Sequence, residues 1–160
     1  MSKNRILIVE DDIDISENIT INLELSGYDY TALYDGMEAR EHLAADHSYD
    51  LALLDVMLPG LNGFELMEDV QKYNIPALYL TAKADLPSRI KGLKGGAEDY
   101  IVKPFEMLEL LVRMEKILER TGKLNAILRY RDITIDTEKR IVTAVKRWRC
   151  SRWNLIYWSC

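Results

Sequence analysis

The chain contains little cysteine and no long apolar run, and these two absences exclude several classes of protein. Of its 160 residues two are cysteines, Cys150 and Cys160, and both lie within the last eleven positions. The main body therefore has neither a disulfide framework nor a cysteine metal site. No apolar run approaches the roughly 20 residues of a transmembrane helix. The N-terminal sequence MSKNRILIVEDD becomes acidic before a signal-peptide core could form, so we expect a cytoplasmic protein without membrane contact.

Charge is distributed unevenly along the sequence. The chain has a formal net charge of −5, yet residues 144–160 contain four basic residues, no acidic residue and all three tryptophans. The acidic body is therefore an unfavourable surface for nucleic acid. The C-terminal tail is a break in composition that requires its own interpretation.

Short apolar runs alternate with amphipathic segments up to residue 120. The spacing predicts strands at 5–9, 28–34, 51–54, 77–80 and 100–102. It predicts helices at 14–26, 36–45, 64–73, 86–94 and 105–120. This alternation indicates an α/β fold in which a parallel sheet is covered on both faces.

Polar residues follow four of the predicted strands. Asp55 comes directly after the apolar run 51–54, and burial of an unpaired carboxylate is costly. A single Asp at a strand end can simply face water, but parallel strands place their carboxyl ends at one edge of the sheet. The residues expected to meet at this edge are Glu10, Asp11 and Asp12 after the first strand, Asp55 after the third, Thr81 and Ala82 after the fourth, and Lys103 and Pro104 after the fifth.

These residue types together favour phosphoryl chemistry. Glu10, Asp11 and Asp55 would repel each other without a cation, and their oxygens are hard ligands that suit Mg²⁺. Lys103 supplies a positive charge for phosphoryl oxygens, and Thr81 supplies a hydroxyl donor. This set would allow a carboxylate to attack phosphorus and form an aspartyl phosphate.

Four motifs, ILIVEDD, LLDVMLPGLNGFEL, LTA and GAEDYIVKPF, occur in this order and resemble the receiver domain of two-component response regulators. The resemblance covers about residues 3–121 and predicts a receiver domain at 1–121. It implies a flavodoxin-like (βα)5 fold, a doubly wound parallel sheet with strand order 2-1-3-4-5. It also implies a phosphoacceptor switch rather than an enzyme, with a sensor histidine kinase as partner and Mg²⁺ as cofactor.

The resemblance further assigns roles to individual residues. Asp55 would be the phosphoacceptor. The metal ligands would be Asp55, Asp11, the backbone carbonyl of Met57, and Glu10 through water. Phosphoryl binding and switching would fall to Thr81, Ala82, Lys103 and Tyr100, and the Lys103–Pro104 bond would be cis.

A face of mixed charge is predicted on the helix at 86–94, the strand at 100–102 and the helix at 105–120. Its residues are Arg89, Lys91, Asp99, Glu109, Arg113 and Arg120. Similar arrays occur in regulators of the OmpR/PhoB type, so the resemblance implies an isologous homodimer on phosphorylation. The alternative is a solvated face whose surface ion pairs contribute little.

Residues after 121 predict an incomplete second domain. We interpret 122–129 as a linker and 130–145 as the first strands of a winged-helix effector domain, so promoter DNA would be a partner only if that domain were complete. The tail 146–160 could bind nucleic acid or membrane on composition alone. We instead expect a frameshift and a poorly ordered tail: read one nucleotide earlier, WNLIYWSC can encode MEFDLLVL, which resembles the first helix of that domain.

Two other functions compete with the switch. A Mg²⁺-dependent phosphatase of the haloacid dehalogenase type also uses an Asp at a strand end, but it needs a second Asp two positions later, where this chain has Met57. A flavodoxin-like nucleotide-binding module would need a glycine-rich phosphate loop after the first strand, where this chain has an acidic triplet.

Overall fold

A computed structural model describes residues 3–82 and 95–124, together with the backbone of four further strands between 127 and 159. Five strands form a parallel sheet: β1 (Arg5–Val9), β2 (Asp29–Leu33), β3 (Leu51–Asp55), β4 (Ala77–Ala82) and β5 (Asp99–Lys103). Their order is β2-β1-β3-β4-β5, which confirms the predicted flavodoxin-like topology. The helix predicted at 86–94, with Arg89 and Lys91, lies outside the described residues.

Four helices are described: α1 (Ile13–Leu25), α2 (Gly36–Ala45), α3 (Gly63–Lys72) and α4 (Met107–Arg120). Asp12, Asp35 and Asn62 cap the first three, each through a side-chain oxygen that accepts backbone N–H groups of the first turn. The cap of α3 is reciprocal, because the Glu65 side chain accepts the N–H of Asn62. None of the described helices has the length and apolarity required to cross a membrane.

The sheet is covered on both faces, and alternate residues of each strand enter opposite halves of the core. Ile6, Ile8 and Leu53 pack with α1 and α4 on one face. Leu7 and Leu54 pack with α2 and α3 on the other. Every residue of β3 is buried, so Asp55 lies at the end of a fully buried central strand.

The packed unit extends three residues beyond the predicted boundary at 121. Gly122 adopts a left-handed conformation, with φ +70°, and the N–H groups of Lys123 and Leu124 donate to the carbonyl of Leu118. Leu124 packs against the core beside α4. The Asn4 side chain donates to the Lys123 carbonyl at 2.5 Å and to the Asp50 carboxylate at 3.1 Å.

Beyond residue 124, four strands form an antiparallel sheet in sequence order: β6 (Ile127–Tyr130), β7 (Ile133–Asp136), β8 (Ile141–Lys146) and β9 (Asn154–Ser159). β7 and β8 are the two strands that the sequence predicts around residues 136–139. β6 begins inside the predicted linker. β9 lies in the tail, where the sequence predicted no strand: Asn154 to Ser159 pair with Lys146 to Ile141 of β8. The aromatic and branched residues of this segment favour an extended strand.

Candidate functional site

Three carboxylates meet at the carboxyl edge of the parallel sheet. Glu10 and Asp11 follow β1, and Asp55 ends β3; one oxygen from each lies within 4.8 Å of the others. Lys103, the last residue of β5, reaches into this acidic cluster. Its Nζ lies 2.6 Å from Glu10 Oε2 and 2.8 Å from Asp55 Oδ2. The structure thus brings together the acidic and basic residues that the strand ends predict.

The acidic cluster is largely removed from water. Glu10 is 0% exposed and Asp55 is 5% exposed, whereas Asp11 faces solvent. Burial raises the pKa of Glu10 to about 7; the nearby Lys103 ammonium opposes this shift, and Asp55 adds to it. Burial alone would lower the pKa of Lys103, but its hydrogen bonds to Asp55 and Glu10 outweigh that effect and raise the pKa above its ordinary value.

The two adjacent acids after β1 have different positions. Asp11 belongs to the acidic cluster, while Asp12 accepts the N–H of Ile15 at 3.1 Å as the N-cap of α1. The Asp12 N–H in turn donates to Glu10 Oε1 at 3.1 Å. Sequence reasoning gave Asp12 no role, although an acid directly before an amphipathic helix is the usual signal for a cap.

The backbone after Asp55 folds back onto its carboxylate. The Met57 N–H donates to Asp55 Oδ1 at 2.9 Å, so both carboxylate oxygens of Asp55 have partners. The Met57 side chain is 67% exposed beside the site. Gly63, the first residue of α3, donates its N–H to the Val56 carbonyl at 3.1 Å. A Cβ at Gly63 would lie 2.2 Å from the Asp55 carbonyl oxygen, so only glycine fits this approach.

The proposed switch residues lie on β4, which is next to β3, and on the edge strand β5. Thr81 is fully buried, and its hydroxyl donates to the Ala82 carbonyl at 3.3 Å. Ala82 is exposed and pairs in register with Lys103. Tyr100 is half-buried and packs against the core beside α3. The peptide bond that follows Lys103 is cis.

The described members of the mixed-charge face pair within the chain. Arg113 contacts Asp99 at 2.8 Å and Glu109 at 3.1 Å. Arg120 contacts Glu98 at 2.5 Å. Asp99, Glu109, Arg113 and Arg120 therefore line one side of β5 and α4, as predicted, but their partners in this structure are intramolecular.

The acidic cluster fits a divalent cation. All of its donors are carboxylate oxygens, the hard ligands that Mg²⁺ prefers. One of its three acids, Asp11, is exposed, so one side of the cluster is accessible to solvent. Receiver domains bind Mg²⁺ in such an acidic pocket, and the donor set here matches that requirement.

Comparisons with known proteins agree with this geometry. The sequence pattern of the response regulator receiver domain matches residues 6–115. Response regulator ArlR of Staphylococcus saprophyticus is 41% identical over 140 residues, which cover 87% of this chain and 63% of ArlR. Response regulator MprA of Mycobacterium tuberculosis is 38% identical over 149 residues, covering 89% of this chain and 64% of MprA.

Solved structures extend the comparison to the fold. The receiver domain of the Francisella response regulator 1452 is 35% identical, covers 74% of this chain with 99% of its own, and superposes with a TM-score of 0.68. The BeF3-activated receiver domain of DrrB is 29% identical, with a TM-score of 0.67. The chain spans less than two thirds of the length of the curated relatives named above. Since the receiver pattern covers most of the chain and its acidic residues converge as described, the protein belongs to the response regulator receiver family of two-component systems.

Proposed function

We propose that this chain is a phosphorylation switch in which Asp55 accepts a phosphoryl group from a histidine of a sensor kinase. The observation that carries the proposal is the Lys103 ammonium, which contacts both Glu10 and Asp55 inside a cluster of three carboxylates. This arrangement keeps Asp55 close to a positive charge that can also meet phosphoryl oxygens.

The chemical step follows from the position of Asp55. One of its carboxylate oxygens attacks phosphorus, a P–O bond forms, and the P–N bond to the kinase histidine breaks with its electron pair retained by the imidazole. Lys103 then exchanges its contact with the carboxylate oxygen for one with a phosphoryl oxygen. Mg²⁺, when bound by Asp11, Asp55 and the Met57 carbonyl, with Glu10 acting through water, would neutralise phosphoryl charge.

The conformational response involves Thr81, Ala82 and Tyr100. The Thr81 hydroxyl has a long hydrogen bond to Ala82, at 3.3 Å, so it loses little when it turns to donate to the phosphoryl group. Ala82 lies at the same exposed edge as Lys103 and offers its backbone to that group. Movement of Thr81 makes space for the half-buried Tyr100 ring to turn inward.

The output of the switch is proposed to be a cytoplasmic homodimer. Its face would include Asp99, Glu109, Arg113 and Arg120, whose intramolecular pairs can exchange for pairs across a two-fold axis. Arg89 and Lys91 would complete this face. Promoter DNA would be reached through a complete winged-helix domain, of which 130–145 supply the first strands.

The phosphatase alternative is less favoured. That mechanism requires a second acid two residues after the nucleophile, to protonate the leaving group. Met57 occupies this position, and a thioether carries no transferable proton. We therefore propose that the phosphoryl group stays on Asp55 until slow hydrolysis removes it.

The test is phosphorylation by acetyl phosphate in the presence of Mg²⁺, measured by intact-protein mass. The parent should gain one phosphoryl group that is stable in acid and labile in base, and Asp55→Asn should gain none. Asp69→Asn is the matched control, because Asp69 lies on α3 in an ion pair with Arg40, away from the acidic cluster. Equal labelling of Asp55→Asn and the parent would overturn the assignment.

A further inference from the structure

Tyr79 is a buried tyrosine in the middle of β4, two residues before Thr81. It is 2% exposed, and a buried hydroxyl requires a hydrogen-bond partner. The hydroxyl lies 3.4 Å from the carbonyl oxygen of Gly63 and donates to it. Burial raises the pKa of Tyr79, which keeps the phenol protonated and able to donate. The ring also contacts Phe64 edge to face, with centroids 5.3 Å apart.

Gly63, the hydrogen-bond partner of Tyr79, contacts the backbone next to the proposed phosphoacceptor Asp55. Gly63 donates its N–H to the carbonyl of Val56, the residue after Asp55. Its Cα approaches the Asp55 backbone so closely that a Cβ would meet the Asp55 carbonyl oxygen at 2.2 Å. A shift of Gly63 therefore displaces the backbone that carries Asp55 and Met57.

The other neighbours of Tyr79 are the proposed switch residues. Tyr79 and Thr81 are separated by two positions on β4, so their side chains project from the same face of the sheet. Tyr79 also pairs in register with Tyr100 on β5. Both tyrosines pack into the same half of the core, beside α2 and α3. Tyr79 thus lies between the phosphoacceptor loop, 55–63, and the pair formed by Thr81 and Tyr100.

We propose that Tyr79 is a positioning residue that holds the start of α3 against β4 and thereby fixes the phosphoacceptor loop for Mg²⁺ binding and phosphoryl transfer. This inference rests on the proposed function. The hydroxyl is what makes this connection, because an aliphatic side chain at position 79 could not donate to the Gly63 carbonyl.

The test compares two substitutions that remove the same atom from the same half of the core. Tyr79→Phe removes the hydroxyl that contacts Gly63. Tyr49→Phe removes a buried hydroxyl that contacts Thr31 and His42. Tyr49 precedes β3, whereas the acidic cluster lies at the other end of that strand. Three quantities are measured in each protein: Mg²⁺ affinity by calorimetry, the rate of phosphorylation by acetyl phosphate, and hydrogen exchange of the Gly63 and Met57 amides.

We expect Tyr79→Phe to lower the Mg²⁺ affinity and the phosphorylation rate by about twofold to fivefold, the range for loss of one long hydrogen bond. Exchange of the two amides should accelerate by a similar factor. Tyr49→Phe should leave all three quantities at the parent values, even if both variants lose equal thermal stability. If Tyr79→Phe fails to fold, Tyr79→Met provides the same comparison with a flexible apolar side chain.

Parent values in Tyr79→Phe, or equal losses in both variants, would overturn the positioning role. The proposed function is tested separately by the parent protein. If the parent accepts no phosphoryl group, the switch itself fails. If the parent is labelled and only the Tyr79→Phe comparison fails, the switch stands without a role for this hydroxyl.

Discussion

Glu10→Gln is expected to change the pH dependence of stability, because Glu10 is the fully buried acid of the cluster. In the folded protein burial raises the pKa of Glu10 from 4.5 to about 7. In the unfolded chain the pKa returns to its ordinary value, so the folded state binds an extra proton between these two values. The free energy of unfolding of the parent should therefore fall as the pH rises from 4.5 to 7.

The size of this effect follows from the two pKa values. A separation of about 2.5 between them corresponds to about 3 kcal/mol, at about 1.4 kcal/mol for each factor of ten. Glutamine has nearly the same shape and does not titrate. Lys103 keeps Asp55 as a counter-ion at 2.8 Å in the variant, so no buried ammonium is left unpaired. As the pH rises from 4.5 to 8, the free energy of unfolding of Glu10→Gln should thus increase relative to that of the parent by about 3 kcal/mol.

Urea unfolding, followed by far-ultraviolet circular dichroism at several pH values without divalent ions, measures this difference. Glu17→Gln is the control, because Glu17 is exposed on α1 and the same chemical change there should leave the pH profile of the parent intact. Added Mg²⁺ should restore stability to the parent at pH 8, since it favours the ionised form of Glu10. A difference between Glu10→Gln and the parent that does not vary with pH would refute the argument.

Three further outcomes are expected. Asp11→Ala should weaken Mg²⁺ binding in calorimetry by at least about tenfold, whereas Asp12→Ala should keep the affinity and lower stability by about 1 kcal/mol through loss of the cap; the reverse pattern would make Asp12 the ligand. In sedimentation velocity at micromolar concentration, beryllofluoride should convert the monomer to a dimer and Arg113→Ala should prevent it; a monomer in both states would count against the charged face. Sequencing the coding DNA should reveal a frame, one nucleotide earlier, that reads MEFDLLVL across WNLIYWSC, and any other reading there would contradict the frameshift.

The acidic cluster could be predicted from the sequence because its residues all lie at the ends of predicted strands. Asp55 and Lys103 each follow an apolar run, and the parallel topology alone brings such positions together. Asp12 was given no role because adjacent acids are chemically alike, and only its position directly before α1 distinguishes it as the cap. The role proposed for Tyr79 could not be predicted from the sequence, because a tyrosine within an apolar run resembles any other core residue and only the structure shows the partner of its hydroxyl.

Other differences arise from interactions that act over longer range in the chain. The predicted receiver boundary at 121 differs from the packed unit, which continues to Leu124, because the left-handed turn at Gly122 returns the chain to the core. β9 was not predicted as a strand, because the tail was interpreted from its unusual composition. Its pairing with β8 depends instead on backbone hydrogen bonds and on the strand propensity of its residues. The charged face stays a prediction: Arg113 pairs with Asp99 in this structure, and whether a second subunit replaces that partner depends on the geometry of the assembly, which residue types alone do not determine.

The hydrogen bond between Asn4 and Lys123 determines where the chain leaves the receiver unit. Asn4 precedes β1, so this contact fixes the exit of the chain at the amino edge of the sheet, whereas Asp55 lies at the carboxyl edge. A five-residue strand spans about 16 Å. A phosphoryl group on Asp55, as proposed above, would therefore lie about one strand length from Lys123, and an effect on that end of the domain would have to pass through the packed sheet.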